Sequence, residues 1–209
     1  MNQKLTNTLL CLLTFLCLGC GSDEPKQTST GLIQQINASG IITDEQVKSL
    51  RYAYTDHLEL NGLTSITDAQ AEILSKLGNG TSEYILSLNG LTSITDAQAE
   101  SLSNLWHLNL NGLTSITDKQ AENLSNKTRS AELNGLTSIT DPQAESLSKV
   151  GKQRVDIEMD SEYLFLLDRR LSLEGLTSIT DEQAESLSKV KGLLISESCQ
   201  ELVDKYKEP

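Results

Sequence analysis

The octapeptide NGLTSITD begins at Asn61, Asn89, Asn111 and Asn134 without a change, and returns from Glu174 as EGLTSITD. Its aspartates fall at Asp68, Asp96, Asp118, Asp141 and Asp181, so successive intervals are 28, 22, 23 and 40 residues. A unit in the twenties is too short to enclose a core of its own. It buries its apolar side by stacking on its neighbours, which points to a solenoid. IITDEQVKSL extends the array backwards, with Asp44 placed 24 residues before Asp68. The long last interval holds RVDIEMDSEYLFLLDRR, read here as a strand from Val155 to Met159 and then a helix. This makes a degenerate unit near residues 151–170.

Within one clean unit the apolar period changes. Leu58 and Leu60 alternate with His57, Glu59 and Asn61, as in a short strand with one apolar side. Gly62 allows a turn, and Leu63 and Ile66 point inward at a spacing of three. TDAQ then places Thr67 as N-cap and Gln70 at the third helical position, the pattern of a capping box. Asp68 adds a negative charge where the helix dipole favours one. The arrangement recurs at Thr95 and Gln98, Thr117 and Gln120, Thr140 and Gln143, and Thr180 and Gln183. Ala71 and Leu74 form the buried helical stripe, the alanine letting helix and strand approach closely.

HLELNGLTSITDAQAEILSKL resembles a leucine-rich repeat, most closely the cysteine-containing subtype. Leu58, Leu60, Ile66, Thr67 and Asp68 match its pattern, as do Leu108, Leu110, Ile116, Thr117 and Asp118. The resemblance spans roughly residues 55 to 195. It implies an α/β leucine-rich-repeat solenoid with short parallel strands on the concave side and helices on the convex side. Where that family has Cys or Asn, this chain has Leu63, Leu91, Leu113, Leu136 and Leu176. A leucine only fills space, so the side chains of Thr64 and Ser65 become candidates for bonding the loop backbone.

The N-terminus calls for a separate reading. MNQKLTNTLLCLLTFLCLGC has one cation, Lys4, before an apolar run from Leu9 to Leu18. The run is shorter than the roughly 20 residues of a membrane-spanning helix, and it ends in Gly19-Cys20, so it reads as a signal peptide of an exported chain. LCLGC resembles the lipobox of bacterial lipoproteins, although Cys17 stands where that motif favours leucine. The resemblance implies lipidation, and thus a palmitate or similar acyl group, at Cys20. GSDEPKQTST has the composition of a flexible tether. Cys199 then remains as the one cysteine of the folded part, and an ordinary buried thiol is expected there. Removing Lys4 takes the net charge from −12 to −13. Such a surface disfavours nucleic acid and anionic lipid headgroups, leaves the lipid anchor as the one membrane contact expected, and directs attention to a cationic partner.

On the strand positions facing out of the concave side stand His57, Glu59 and Asn61, then Ile85, Ser87 and Asn89. His107, Asn109 and Asn111 follow, then Ser130, Glu132 and Asn134, then Asp156 and Glu158 in the degenerate unit, and Arg170, Ser172 and Glu174. These positions differ between units while the convex side is nearly constant, which suits either a binding surface or relaxed drift at exposed sites. The asparagines stack as a ladder, bonding each other or the turn backbone, or reading a ligand. Glu132, Asp156, Glu158 and Glu174 form either a solvated acidic face or a dock for a Lys- or Arg-rich segment. His57 and His107 lie two strands apart, about 9 to 10 Å, too far for one zinc ion. No motif suggests catalysis, a cofactor or a metal.

The chain thus divides into a signal peptide (1–19), a lipidated tether (20–30), a helical cap (31–54), the repeats (55–191) and a C-terminal cap (192–209). Two short helices are expected in the first cap, and a strand from Leu193 to Ser196 plus a helix with Leu202 and Val203 facing in for the second. The expected function is that of a membrane-anchored envelope lipoprotein that binds protein or another polymer through its concave face. A passive spacer without a ligand is the alternative, and neither reading specifies an oligomeric state.

Overall fold

A computed structural model describes residues 29–51, 56–77, 84–152 and 170–207. Each repeated TDxQ sets a helix start. Thr67 accepts from the Gln70 amide while the Thr67 amide donates to Gln70 Oε1, at 3.2 and 3.0 Å. The same reciprocal pair is formed at Thr43, Thr95, Thr117, Thr140 and Thr180. Two orphan donors of each helix are thereby satisfied within the unit.

The elements in chain order are α1 (Ser29–Ser39), α2 (Asp44–Leu50), β1 (His57–Glu59), α3 (Asp68–Ser75), β2 (Ile85–Ser87), α4 (Asp96–Leu102) and β3 (His107–Asn109). They continue with α5 (Asp118–Lys127), β4 (Ser130–Glu132), α6 (Asp141–Leu147), β5 (Leu171–Leu173), α7 (Asp181–Ser188), β6 (Leu193–Ile195) and α8 (Glu197–Asp204). All six strands are parallel and stand in chain order, forming an open sheet in which helices alternate with strands. The two N-terminal helices and the last strand and helix appear where the sequence placed them. Val203 is buried and Leu202 half-buried in α8, and Cys199 is a buried free thiol.

Between sheet and helices runs one core. Leu58, Leu86, Leu108, Ala131 and Leu171 fill it from the strands, Leu63, Leu91, Leu113, Leu136 and Leu176 from the turns, and Ala71, Ala99, Ala121, Ala144 and Ala184 from the helices. The turn leucines are thus space-fillers. The turn backbone is bonded from elsewhere. Thr64 Oγ1 donates to the Gly40 carbonyl at 3.2 Å, and Thr177 Oγ1 to that of Thr137 at 3.1 Å.

Two further rows tie each unit to the one before it. The capping glutamines are buried, and their Nε2 groups donate backwards: Gln70 to Ile42 O, Gln98 to Ile66 O, Gln120 to Ile94 O, Gln143 to Ile116 O and Gln183 to Ile139 O, at 2.8 to 3.0 Å. On the surface, the capping threonines of Thr95, Thr117, Thr140 and Thr180 donate to Asp68, Asp96, Asp118 and Asp141. One side chain therefore caps its own helix and fastens its unit to the preceding one.

The repeated glycine stands in a turn, as expected, and the structure adds why it must be glycine. Gly112 does not adopt a positive φ. A Cβ there would lie 2.2 Å from the Asn89 carbonyl oxygen and 2.6 Å from that of Leu91. Close backbone approach between stacked turns, and not a left-handed turn, excludes a side chain.

Across the long interval β4 and β5 pair directly, Ala131 on Leu171 and Glu132 on Ser172. Thr180 and Gln183 likewise bond to Asp141 and Ile139. Val155–Met159 itself lies outside the described residues, as do Cys20 and the signal segment.

Candidate functional site

Parallel register brings the unrepeated strand residues together on the sheet face turned away from the helices. His57, Ile85, His107 and Ser130 form one row, and Glu59, Ser87, Asn109, Glu132 and Ser172 the next. The expected neighbourhood is therefore assembled, except for Asp156 and Glu158, which lie outside the described residues.

Within this face the side chains bond one another. Ser87 Oγ stands 3.0 Å from His57 Nε2 and accepts from Asn109 Nδ2 at 3.2 Å. Asn111 Nδ2 donates to Glu132 at 3.0 Å, and Ser172 donates to Asn134 Oδ1 at 2.8 Å. Ser87 and Ser172 are only 2 and 1% exposed, because each short side chain sits between longer neighbours. Expected as ligand contacts, these serines are instead internal links. Glu59 and His57 are exposed, and Glu132, Asn109 and His107 half-exposed, so these residues offer the contact surface.

The His57, Ser87 and Glu59 group was not singled out in the sequence, since Ser87 is 30 residues from His57. Glu59 approaches the same ring nitrogen as Ser87, at 3.7 Å. An acid-base relay places the carboxylate on the opposite nitrogen and leaves the hydroxyl open to substrate. This trio has neither property and is a polar network. Among the described residues, no group of three His, Cys, Asp or Glu is placed to hold a metal ion.

The asparagine ladder belongs to the scaffold. Asn61, Asn89, Asn111 and Asn134 each use Oδ1 to accept the backbone amide of the next unit, at Asn89, Asn111, Asn134 and Glu174, at 2.9 to 3.1 Å. Asn37 of α1 starts the row. Its Oδ1 accepts from Gly62 N at 2.8 Å and its Nδ2 donates to Glu59 O at 2.9 Å. Asn37 precedes Asn61 by 24 residues, the interval from Asp44 to Asp68, and that match was the available signal. Glu174 ends the row by replacing asparagine with a carboxylate.

Just before the strands, a second unrepeated row contains Tyr84, Trp106 and Arg129. The Arg129 guanidinium lies 5.3 Å from the centre of the Trp106 ring. Tyr84 is buried, which pushes its phenol well above the ordinary tyrosine range, and its hydroxyl has no hydrogen-bond partner among the described residues.

At the far end, α8 supplies what a further unit would have supplied. Asp181 accepts from the Tyr206 hydroxyl and from Lys205 Nζ at 2.9 Å, which holds its carboxyl below the usual range. The Tyr206 bond is the main cause and the Lys205 charge adds to it. A lowered native pKa contributes stability above the ordinary aspartate value of about 3.9 that disappears as pH falls through the lowered value. The stability gap between wild type and Asp181→Asn, measured by urea unfolding, will therefore be largest near neutrality and close in strong acid.

Comparison with protein-family models, with curated proteins and with solved structures finds no match to this chain. Among the described residues, no helix is long and apolar enough to cross a membrane.

Proposed function

We propose that the chain is a leucine-rich-repeat solenoid, exported and anchored by acylation at Cys20, whose concave sheet face binds a protein partner through a cationic segment. The supporting observation is the contrast between faces. The glutamine, threonine and asparagine rows that join unit to unit are repeated, whereas the sheet row His57, Ile85, His107 and Ser130, with Glu59 and Glu132 beside it, is not. Glu59, Glu132 and Glu174 put carboxylates along that face, where a Lys- or Arg-rich segment gains both attraction and faster association.

One observation favours the passive spacer instead. Ser87, Asn109, Asn111 and Ser172 already find hydrogen-bond partners on the face itself. Retention of envelope proteins by the mature domain, compared with a Glu59, Glu132 and Glu174 to Lys variant of matching circular dichroism, separates the readings. A partner held by wild type in saturable fashion and lost by the variant supports recognition. Equal retention, or none, supports the spacer.

A further inference from the structure

All the repeat helices return from a strand end to the start of the next strand. Their N-termini therefore share one rim of the sheet and their C-termini the other. The first rim carries the aspartates of the capping motif, among them Asp68, Asp96 and Asp118. The second rim carries Lys149 and Lys152 after α6, and Lys189 and Lys191 after α7. Net negative charge thus coexists with two rims of opposite sign.

The lysines gather closely. The Lys152 ammonium is held below the usual lysine range, first by burial and then by Lys189 and Lys149, so these three cations share a small area. Lys189, Lys191, Lys207 and Tyr206 line an open depression of about 620 Å³. Lys149, Lys189 and Lys207 pair with Glu145, Glu185 and Asp204 at 3.3, 3.6 and 2.7 Å. Exposed pairs of this kind are individually weak and exchange partners readily. Lys152 and Lys191 have no carboxylate within ion-pair distance among the described residues.

The first helix relates this rim to the tether. Asn37 and Gly40 fix the C-terminal end of α1 against Glu59, Gly62 and Thr64, at the strand-exit rim. Asn37 occupies the ladder place of a strand residue, and Leu32 and Ile36 keep the helix against the core. Ser29, eight residues or about 12 Å of helix before Asn37, is at the end of α1 away from those contacts. Lys48 in the last turn of α2 and Arg51 after it lie on the lysine rim.

We propose that this rim docks on the phosphate headgroups of an anionic bilayer, so that the domain stands on its lysine rim with the sheet face clear of the lipid. The proposal rests on the anchor at Cys20. The eight residues between Cys20 and Ser29 have a tether's composition, and a tether of that length spans only roughly 14–17 Å. That distance keeps the rim close to a surface whose potential extends about 10 Å. The acidic rim and the sheet carboxylates are repelled by the same surface, which strengthens the orientation.

Trp106, the chain's sole tryptophan, immediately precedes β3 on this rim and serves as the reporter. The mature chain is coupled through the Cys20 thiol to a maleimide lipid, Cys199 being only 1% exposed. Energy transfer from Trp106 to dansyl headgroups is then compared on phosphatidylcholine vesicles with and without phosphatidylglycerol. Transfer should rise roughly twofold on the anionic vesicles. It should return to the neutral level at about 1 M salt and in the Lys149, Lys152, Lys189 and Lys191 to Gln variant. Equal transfer on both vesicles, or a rise that the variant retains, overturns the rim proposal even where Cys20 is acylated in cells. A mass measurement showing the mature chain without an acyl group at Cys20 overturns the anchor, even where the rim binds.

Discussion

Gln120→Ala will lower the unfolding free energy by about 3 kcal/mol. The alanine removes the acceptor for Thr117 N and the donor to Ile94 O, at 2.9 and 2.8 Å. Each bond contributes on the order of 1 kcal/mol, and the Ile94 carbonyl left buried without a partner adds a further 1–3 kcal/mol. A urea titration will show this as a lowered midpoint at unchanged slope. Gln120→Glu refines the assignment. It retains an acceptor for Thr117 N but turns a carboxylate oxygen towards the Ile94 carbonyl, so its native pKa is raised. Its deficit should be full at neutral pH and shrink as pH falls through the raised value towards the ordinary range near 4.3. A deficit independent of pH would show that Nε2 does not carry the link between units.

Gly112→Ala will be nearly as damaging, at about 3 kcal/mol, although it adds one methyl group to a half-buried turn. The new Cβ meets two backbone oxygens of the preceding unit, neither of which can swing aside as a flexible side chain does. Gly192 provides the comparison. It has φ of 75°, so alanine there costs about 1–2 kcal/mol for left-handed backbone. Chemical denaturation of the two variants distinguishes crowding between units from local backbone strain. Gly192→Ala proving the worse of the two would refute the close-approach account.

Local chemistry made much of this architecture legible beforehand. Thr67 and Gln70 are three residues apart, and a capping box acts over that distance, so the helix starts could be read directly. Leu58 and Leu60 sit in a period of two, and identical units stack in register, so the strand rows could be read as well. The links between units were harder. Gln70 performs its local role with Oε1 and its long-range role with Nε2, and nothing in the capping pattern distinguishes a glutamine that does both. Gly62 was legible as a turn residue, but glycine serves turns and close contacts alike, so the crowding against the preceding unit was not. The pairing of β4 with β5 across a 40-residue interval was not legible, because the repeat spacing alone suggested a further unit between them. The contact face was half legible. Register placed His57 beside Ser87, but the burial of Ser87 follows from the lengths of its neighbours in three dimensions.

The backward-reaching glutamine, threonine and asparagine rows have a consequence for how such a chain changes over generations. Each unit offers the same acceptors behind it that it uses in front, so a whole unit is exchangeable. A gain of 22 or 23 residues between Asp96 and Asp141 adds a unit with every donor matched, while the 40-residue interval from Asp141 to Asp181 keeps the same three rows in a single step. Misaligned recombination among the near-identical octapeptides can therefore lengthen or shorten the sheet in steps of about 4.8 Å, with the two end caps carried along unchanged.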